Sequence, residues 1–327
     1  MMGLVKAEPL QGNISRTAGS YDEVVCKHLD YCRSHAWAGY DPYDALNSPI
    51  FSAVPFLDAK LPRLIATQLL KRSPLNVRSL LRIPPTRNPK ALGLFIMAVL
   101  KLERAGLADP GIAKELATFV GESRSSDHRH WSWGYSFPWQ GRELYVPRWS
   151  PNLVCTTFVA EALLDLYDQT GDARYLTIAA SAAQYIKELF WTDGEVASFS
   201  YPHASARSRV HNANFLAAAL LYRVSSYTDD AALADAGLRA ARYSIGKQNQ
   251  DGSWFYGELE SQRWIDNFHT GFNLTALADL RDYSESDEFD NAIAKGFRFY
   301  CENFFTKDGA PKYFHDRIYP IDVHSVA

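Results

Sequence analysis

Two kinds of helical segment alternate along the chain. Residues 173–190 place Tyr175, Ala179, Ala182, Ile186 and Leu189 on one face, and Thr177, Ser181, Gln184 and Glu188 on the other. That is the 3.6-residue period of an amphipathic helix. Residues 153–167 are instead apolar nearly all round, as are 215–222. A helix without a polar face must be covered on every side. The alternation predicts buried helices starting near Ala91, Leu153, Asn214 and His269, and outer helices near Pro110, Asp172, Asp229 and Ser286. An earlier pair is expected at 21–35 and 61–71, followed by an irregular Pro-rich stretch at 73–89, which makes five hairpins. A sixth begins at Ile321-Asp322-Val323-His324 and is cut short at Ala327. A ring of hairpins is the economical way to hide that many apolar helices. The expected fold is all-α, an α/α toroid of up to six hairpins, incomplete at its C-terminal end. It forms a single domain over 20–327 behind a lead-in at 1–19.

The loops repeat as well. Asp-Gly pairs at 193–194, 251–252 and 308–309 recur at intervals of 58 and 57 residues. Aromatic loop segments recur with them: Trp131-Ser132-Trp133-Gly134-Tyr135, Ser198-Phe199-Ser200-Tyr201, Ser253-Trp254-Phe255-Tyr256 and Pro311-Lys312-Tyr313-Phe314. An Asp-Gly turn flanked by aromatic residues predicts a short β-hairpin in the last three loops. A fixed period also sets equivalent loops at one end of the molecule, where their polar residues can converge.

Composition narrows the function classes. A net charge of −3 and a pI near 6.3 leave no overall basic footprint for nucleic acid. The longest apolar run, 91–100, is too short to span a bilayer. The first 20 residues contain no apolar signal-peptide core, so a cytoplasmic protein is expected. Cys26, Cys32, Cys155 and Cys301 are too scattered for a disulfide framework. Phosphate-loop, dinucleotide and nucleophile-elbow motifs are absent, and no cofactor is expected. Asp266, His269 and His324 are of metal-ligating type, but a cysteine-based zinc site finds no support and no metal is expected.

Candidate chemistry follows from the loops. Asp266 and Asp322 occupy equivalent positions in the repeat, where they either cap inner helices or form an acid/base pair across the mouth. His211, His269 and Tyr256, with Arg207, Arg209 and Arg317, would suit proton abstraction beside a carboxylate. The catalytic set is therefore Asp266, His211, His269, Tyr256 and Asp322. Trp131, Trp133, Tyr135, Trp254 and Trp264 would pack on sugar faces, while Asn212, Arg317 and His324 meet hydroxyl or carboxylate groups. The competing reading is that the aromatic loops plug the ring and the histidines are structural.

Several segments carry resemblances. Residues 248–254 match the Q-x-x-x-G-x-W signature of squalene and hopene cyclases, and 266–272 is similar to the D-x-[FY]-H-T-x-[FY] segment of protein prenyltransferase β subunits. Both families are α/α toroids, which implies this fold over roughly 90–327. The cyclase D-x-D-D acid is absent, and the prenyltransferase cysteine has no counterpart at His211-Asn212-Ala213-Asn214. The segments 133–140, 210–214 and 319–325 resemble a bacterial group associated with exopolysaccharide biosynthesis, the Vps type. This resemblance implies polysaccharide biosynthesis, a pathway and not a reaction; with the candidate residues above, the expected function is that of a carbohydrate-acting lyase, epimerase or glycoside hydrolase. Its expected partners are a saccharide and the biosynthesis machinery, with no nucleic acid and no membrane span. The alternatives are a non-catalytic glycan-binding or scaffold protein, and an isoprenoid-processing enzyme.

Overall fold

The computed structural model describes residues 18–126, 128–141 and 144–321. Three helices come first: α1 (Ala18–Ser34), α2 (Pro49–Ala53) and α3 (Lys60–Arg72). Four helical hairpins follow: α4 (Pro89–Arg104) with α5 (Ile112–Glu122), α6 (Leu153–Thr170) with α7 (Ala173–Glu188), α8 (His211–Thr228) with α9 (Ala231–Ile245), and α10 (Asn267–Ser284) with α11 (Asp290–Asn303). The inner helices pack in series, α4 on α6, α6 on α8 and α8 on α10, with one outer helix behind each.

Both apolar inner helices predicted from sequence are buried along most of their length. Three of the four inner helices start at side chains that accept otherwise orphaned backbone N–H groups, whereas α8 follows Val210 and has no such cap. Asn88 accepts from Lys90, Asn152 from Cys155 and Asp266 from His269. At Gly93 in α4, a Cβ would lie 2.8 Å from the Phe158 carbonyl oxygen in α6. Only glycine lets these two helices approach so closely. Farther along the inner helices, buried Arg223 of α8 binds Glu161, Asp165 and Asp168 of α6 at 2.5, 2.8 and 2.8 Å.

The loops between units fasten each unit to the one before it. Val210, which precedes α8, forms a backbone pairing with Gly257 of the next loop, and Asp266, which precedes α10, pairs with Phe314. In register with these, His211 N–H donates to the Tyr256 carbonyl (3.1 Å) and Asn267 N–H to the Tyr313 carbonyl (2.9 Å). Ahead of α4, the Thr86 and Ser136 hydroxyls meet at 2.9 Å.

Three details differ from the sequence reading. The segments at 21–35 and 61–71 are helical but form no hairpin with each other. Helix α1 bonds to the turn after α4, through Cys26 to the Leu107 carbonyl and Arg33 to Asp109. Helix α3 instead builds a separate small core, in which Ala45, Leu70 and Ile83 are buried. Among the described residues the ring therefore has four hairpins, and the expected sixth unit lies in 322–327, outside them. Of the β-hairpins predicted at Asp-Gly turns, one forms, β3 (Phe190–Asp193) with β4 (Val196–Phe199). The other two turns keep glycine in the left-handed region (φ 93° and 85°) without extended strands. The second hairpin, β1 (Trp139–Gln140) with β2 (Tyr145–Val146), lies in the earlier loop, which has no Asp-Gly.

Candidate active site at the axial end of the ring

The N-termini of the inner helices share one end, and chemically useful side chains gather there. Asp266 is 1% exposed, and its carboxylate does two jobs. It accepts the His269 backbone N–H at 2.9 Å, and it holds His269 Nδ1 at 2.9 Å from both oxygens. With Nδ1 committed to a carboxylate, Nε2 is the nitrogen left for a ligand or a proton. The imidazole lies edge-on to Tyr256 (4.7 Å between centroids), Trp264 (5.3 Å) and Phe268 (5.1 Å). Tyr256 and Trp264 stack on each other at 4.3 Å with an interplanar angle of 10°.

Three equivalent loops each send a tyrosine toward this dyad. The Tyr201 phenol lies close enough to those of Tyr135 and Tyr256 to interact electrostatically with both. All three rings are half-buried, yet protein crowds their hydroxyls and burial pushes each phenol upward. On the α4 side, the Lys90 ammonium lies over the rings of Phe158 (4.6 Å), Phe268 (5.0 Å) and Phe272 (5.5 Å). Burial lowers its pKa to about 8, against a smaller opposing pull from Cys155 and Asp41. The neighbouring Cys155 thiol is pushed up to about 12 by burial and is no nucleophile.

No family model matches the chain, and no curated protein matches it in sequence. Solved structures do match. Cellobiose 2-epimerase from Spirochaeta thermophila DSM 6192 superposes with a TM-score of 0.56 at 12% identity, covering 92% of this chain and 90% of its own. The GH76 α-mannanase BT2949 of Bacteroides thetaiotaomicron gives 0.54 at 12% identity, covering 73% and 64%. Unsaturated glucuronyl hydrolase from Bacillus sp. GL1 gives 0.50 at 15% identity, covering 84% and 77%. The chain has the α/α-toroid fold. At these identities the likeness concerns the fold alone.

The toroid brings together five of the residues singled out from sequence: Tyr135, Tyr256, Trp264, Asp266 and His269. Others lie in its walls. Trp133 is fully buried, with its indole N–H donating to the Val120 carbonyl, and buried Trp254 donates to that of Ser244. His211 is 2% exposed between α8 and α9, with Nδ1 3.2 Å from the Ser244 hydroxyl. Burial lowers its pKa to about 4, so it is neutral at physiological pH. Asn212 donates to Asn273 of α10 at 3.1 Å, with both residues buried. Trp131 sits between outer helices, its backbone N–H donating to the Ser181 hydroxyl and its ring covered by the Arg124 guanidinium. Arg317 is exposed, bonded to Asp316 and stacked over Phe314. Asp322 and His324 lie outside the described residues.

The sequence reading missed Lys90, Phe158, Phe268, Phe272 and Tyr201. Tyr201 had a legible signal. Residues 132–135, 198–201 and 253–256 all read Ser, bulky aromatic, any residue, Tyr. In the toroid the Ser and the bulky aromatic are buried, and the Tyr reaches the axial cluster. Lys90 carried no such mark, because one lysine at a helix start normally faces water.

Proposed function

We propose that this protein acts on a saccharide at the axial end of the toroid, transferring a proton at a carbon beside a carbonyl, as an epimerase or a lyase does. The observation that carries the reading is the Asp266–His269 pair, a buried carboxylate holding one imidazole nitrogen at 2.9 Å beside Tyr256 and Trp264. That arrangement orients a general base and stabilises its protonated form. Lys90 supplies positive charge for a developing enolate or a sugar carboxylate. Tyr135, Tyr201 and Tyr256, grouped nearby, offer hydroxyls that can donate or accept a proton. Glycoside hydrolysis is less well served, since it needs two carboxylates flanking one bond and Asp266 is tied to His269. The structural neighbours, which include epimerases, a mannanase and a glucuronyl hydrolase, support a carbohydrate substrate. The loop segments resembling the exopolysaccharide group support a role in polysaccharide biosynthesis in the cytoplasm.

The test is NMR in D2O with reducing disaccharides and uronate oligosaccharides. Proton abstraction imports solvent deuterium beside the carbonyl or leaves an unsaturated uronate. His269→Asn and Asp266→Asn should each lower turnover about 10²- to 10⁴-fold with unchanged circular dichroism. Release of new reducing ends with neither deuterium import nor an unsaturated uronate, or full activity in His269→Asn, would refute the reading.

A further inference from the structure

The most unusual surface of the molecule is far simpler chemically than its axial end. Between Ala59 and Lys90 the sequence contains eight Lys or Arg and no Asp or Glu, in a chain whose overall charge is −3. The same region exposes its largest apolar side chains. On α3, Leu61, Ile65 and Leu69 lie four residues apart on one face and are 66%, 49% and 68% exposed. Phe56 before the helix and Leu75 and Leu80 after it are 73%, 71% and 81% exposed. A cleft of about 650 Å³ runs between α2, α3 and the turn at 77–81, walled by Ile50, Phe51, Leu57, Leu69, Val77 and Leu81.

A soluble surface scatters its apolar residues singly, and a continuous apolar area rimmed by polar groups marks an interaction site. The charge pattern identifies the occupant. Lys60, Lys71, Arg72 and Arg82 flank the apolar residues, and none of them forms an ion pair among the described residues. The nearby carboxylates Asp44 and Asp58 are already bound by Arg78 and Arg63. Cations at both ends of an exposed Leu/Ile stripe complement an extended negative surface. An anionic bilayer provides both parts, headgroup charge and an acyl boundary for the apolar side chains. None of the described helices is long and apolar enough to cross a membrane, so the contact lies in the interface plane.

We infer that α3 and its flanking turns form a peripheral membrane-binding face selective for anionic lipid. This inference does not depend on the chemistry proposed for the axial end. Basic residues near such a surface attract anionic headgroups, and the apolar residues add burial of their exposed area.

Full-length protein would be co-sedimented with vesicles of phosphatidylglycerol and phosphatidylcholine, and with vesicles of phosphatidylcholine alone. Binding is expected to the anionic vesicles and to weaken as salt is raised. Lys71→Glu/Arg72→Glu should lower partitioning at least about tenfold. Ile65→Asp/Leu69→Asp should do the same, with circular dichroism unchanged because these side chains are exposed. Equal binding to both vesicle types, no binding to either, or binding that survives both double variants would overturn the inference. So would a lipid-free dimer that Ile65→Asp/Leu69→Asp dissociates, since the occupant would then be a second copy of the chain.

Discussion

His211 gives a prediction that separates a structural histidine from a catalytic one. In the native chain its ring is 2% exposed, and burial holds its pKa at about 4 against an ordinary 6.5. Glu258 pulls the value upward and Lys247 pushes it down, but desolvation dominates. The unfolded chain therefore takes up a proton near pH 6.5, while the native chain does not until about pH 4. Stability from this residue is complete above pH 6.5 and is lost as pH falls toward 4. The loss over that window comes to about 3 kcal/mol. His211→Asn keeps a polar side chain facing the Ser244 hydroxyl and cannot titrate. Urea unfolding from pH 8 to 4 on both proteins measures the difference. The wild type should lose about 3 kcal/mol more than the variant across the window, whatever constant offset the substitution adds. Parallel curves would refute the reasoning and return His211 to the list of candidate bases.

Two further substitutions probe the division between wall and site. Trp254→Ala removes a buried indole and its bond to Ser244, and should cost about 3 to 5 kcal/mol in thermal or urea unfolding. Trp264→Ala should change stability much less and instead weaken saccharide binding, read by intrinsic fluorescence titration. Arg223→Met leaves Glu161, Asp165 and Asp168 without their shared cation, and should destabilise the protein by about 3 kcal/mol at pH 7. That deficit should shrink at low pH as the carboxylates take up protons, which paired urea curves would show.

The regular part of the toroid was legible because burial leaves a simple mark. Residues 153–167 and 215–222 have no polar face, and both became inner helices; Asp172 caps an outer one as expected, while the cap of α9 is Asp230, one residue past the Asp229 expected. The N-terminal third was not legible in the same way. The 61–71 segment has an apolar stripe like that of an outer helix, but much of the stripe faces outward, and periodicity cannot show which partner a stripe will meet. Within the site, Asp266 and His269 were readable as a cap position followed by histidine in the first turn. Trp133 and Trp254 misled because an aromatic residue in a loop reads alike whether it packs inward or lines an opening. Ring convergence also decides whether Lys90 meets water or three phenylalanines, and that depends on residues nearly 200 positions away.

The fastening of each unit by the one after it has a direction. Asp266 takes its backbone pairing from Phe314, Asn267 leans on Tyr313 and Lys312, and His315 reaches back to the Ile265 carbonyl. The Asp266–His269 pair is thus roofed by a segment that contributes no side chain to it. Exchanging or reshaping the 306–321 stretch would tilt the imidazole while leaving every reactive atom in place. Variation downstream can thereby tune the chemistry proposed for that pair without touching its reactive atoms.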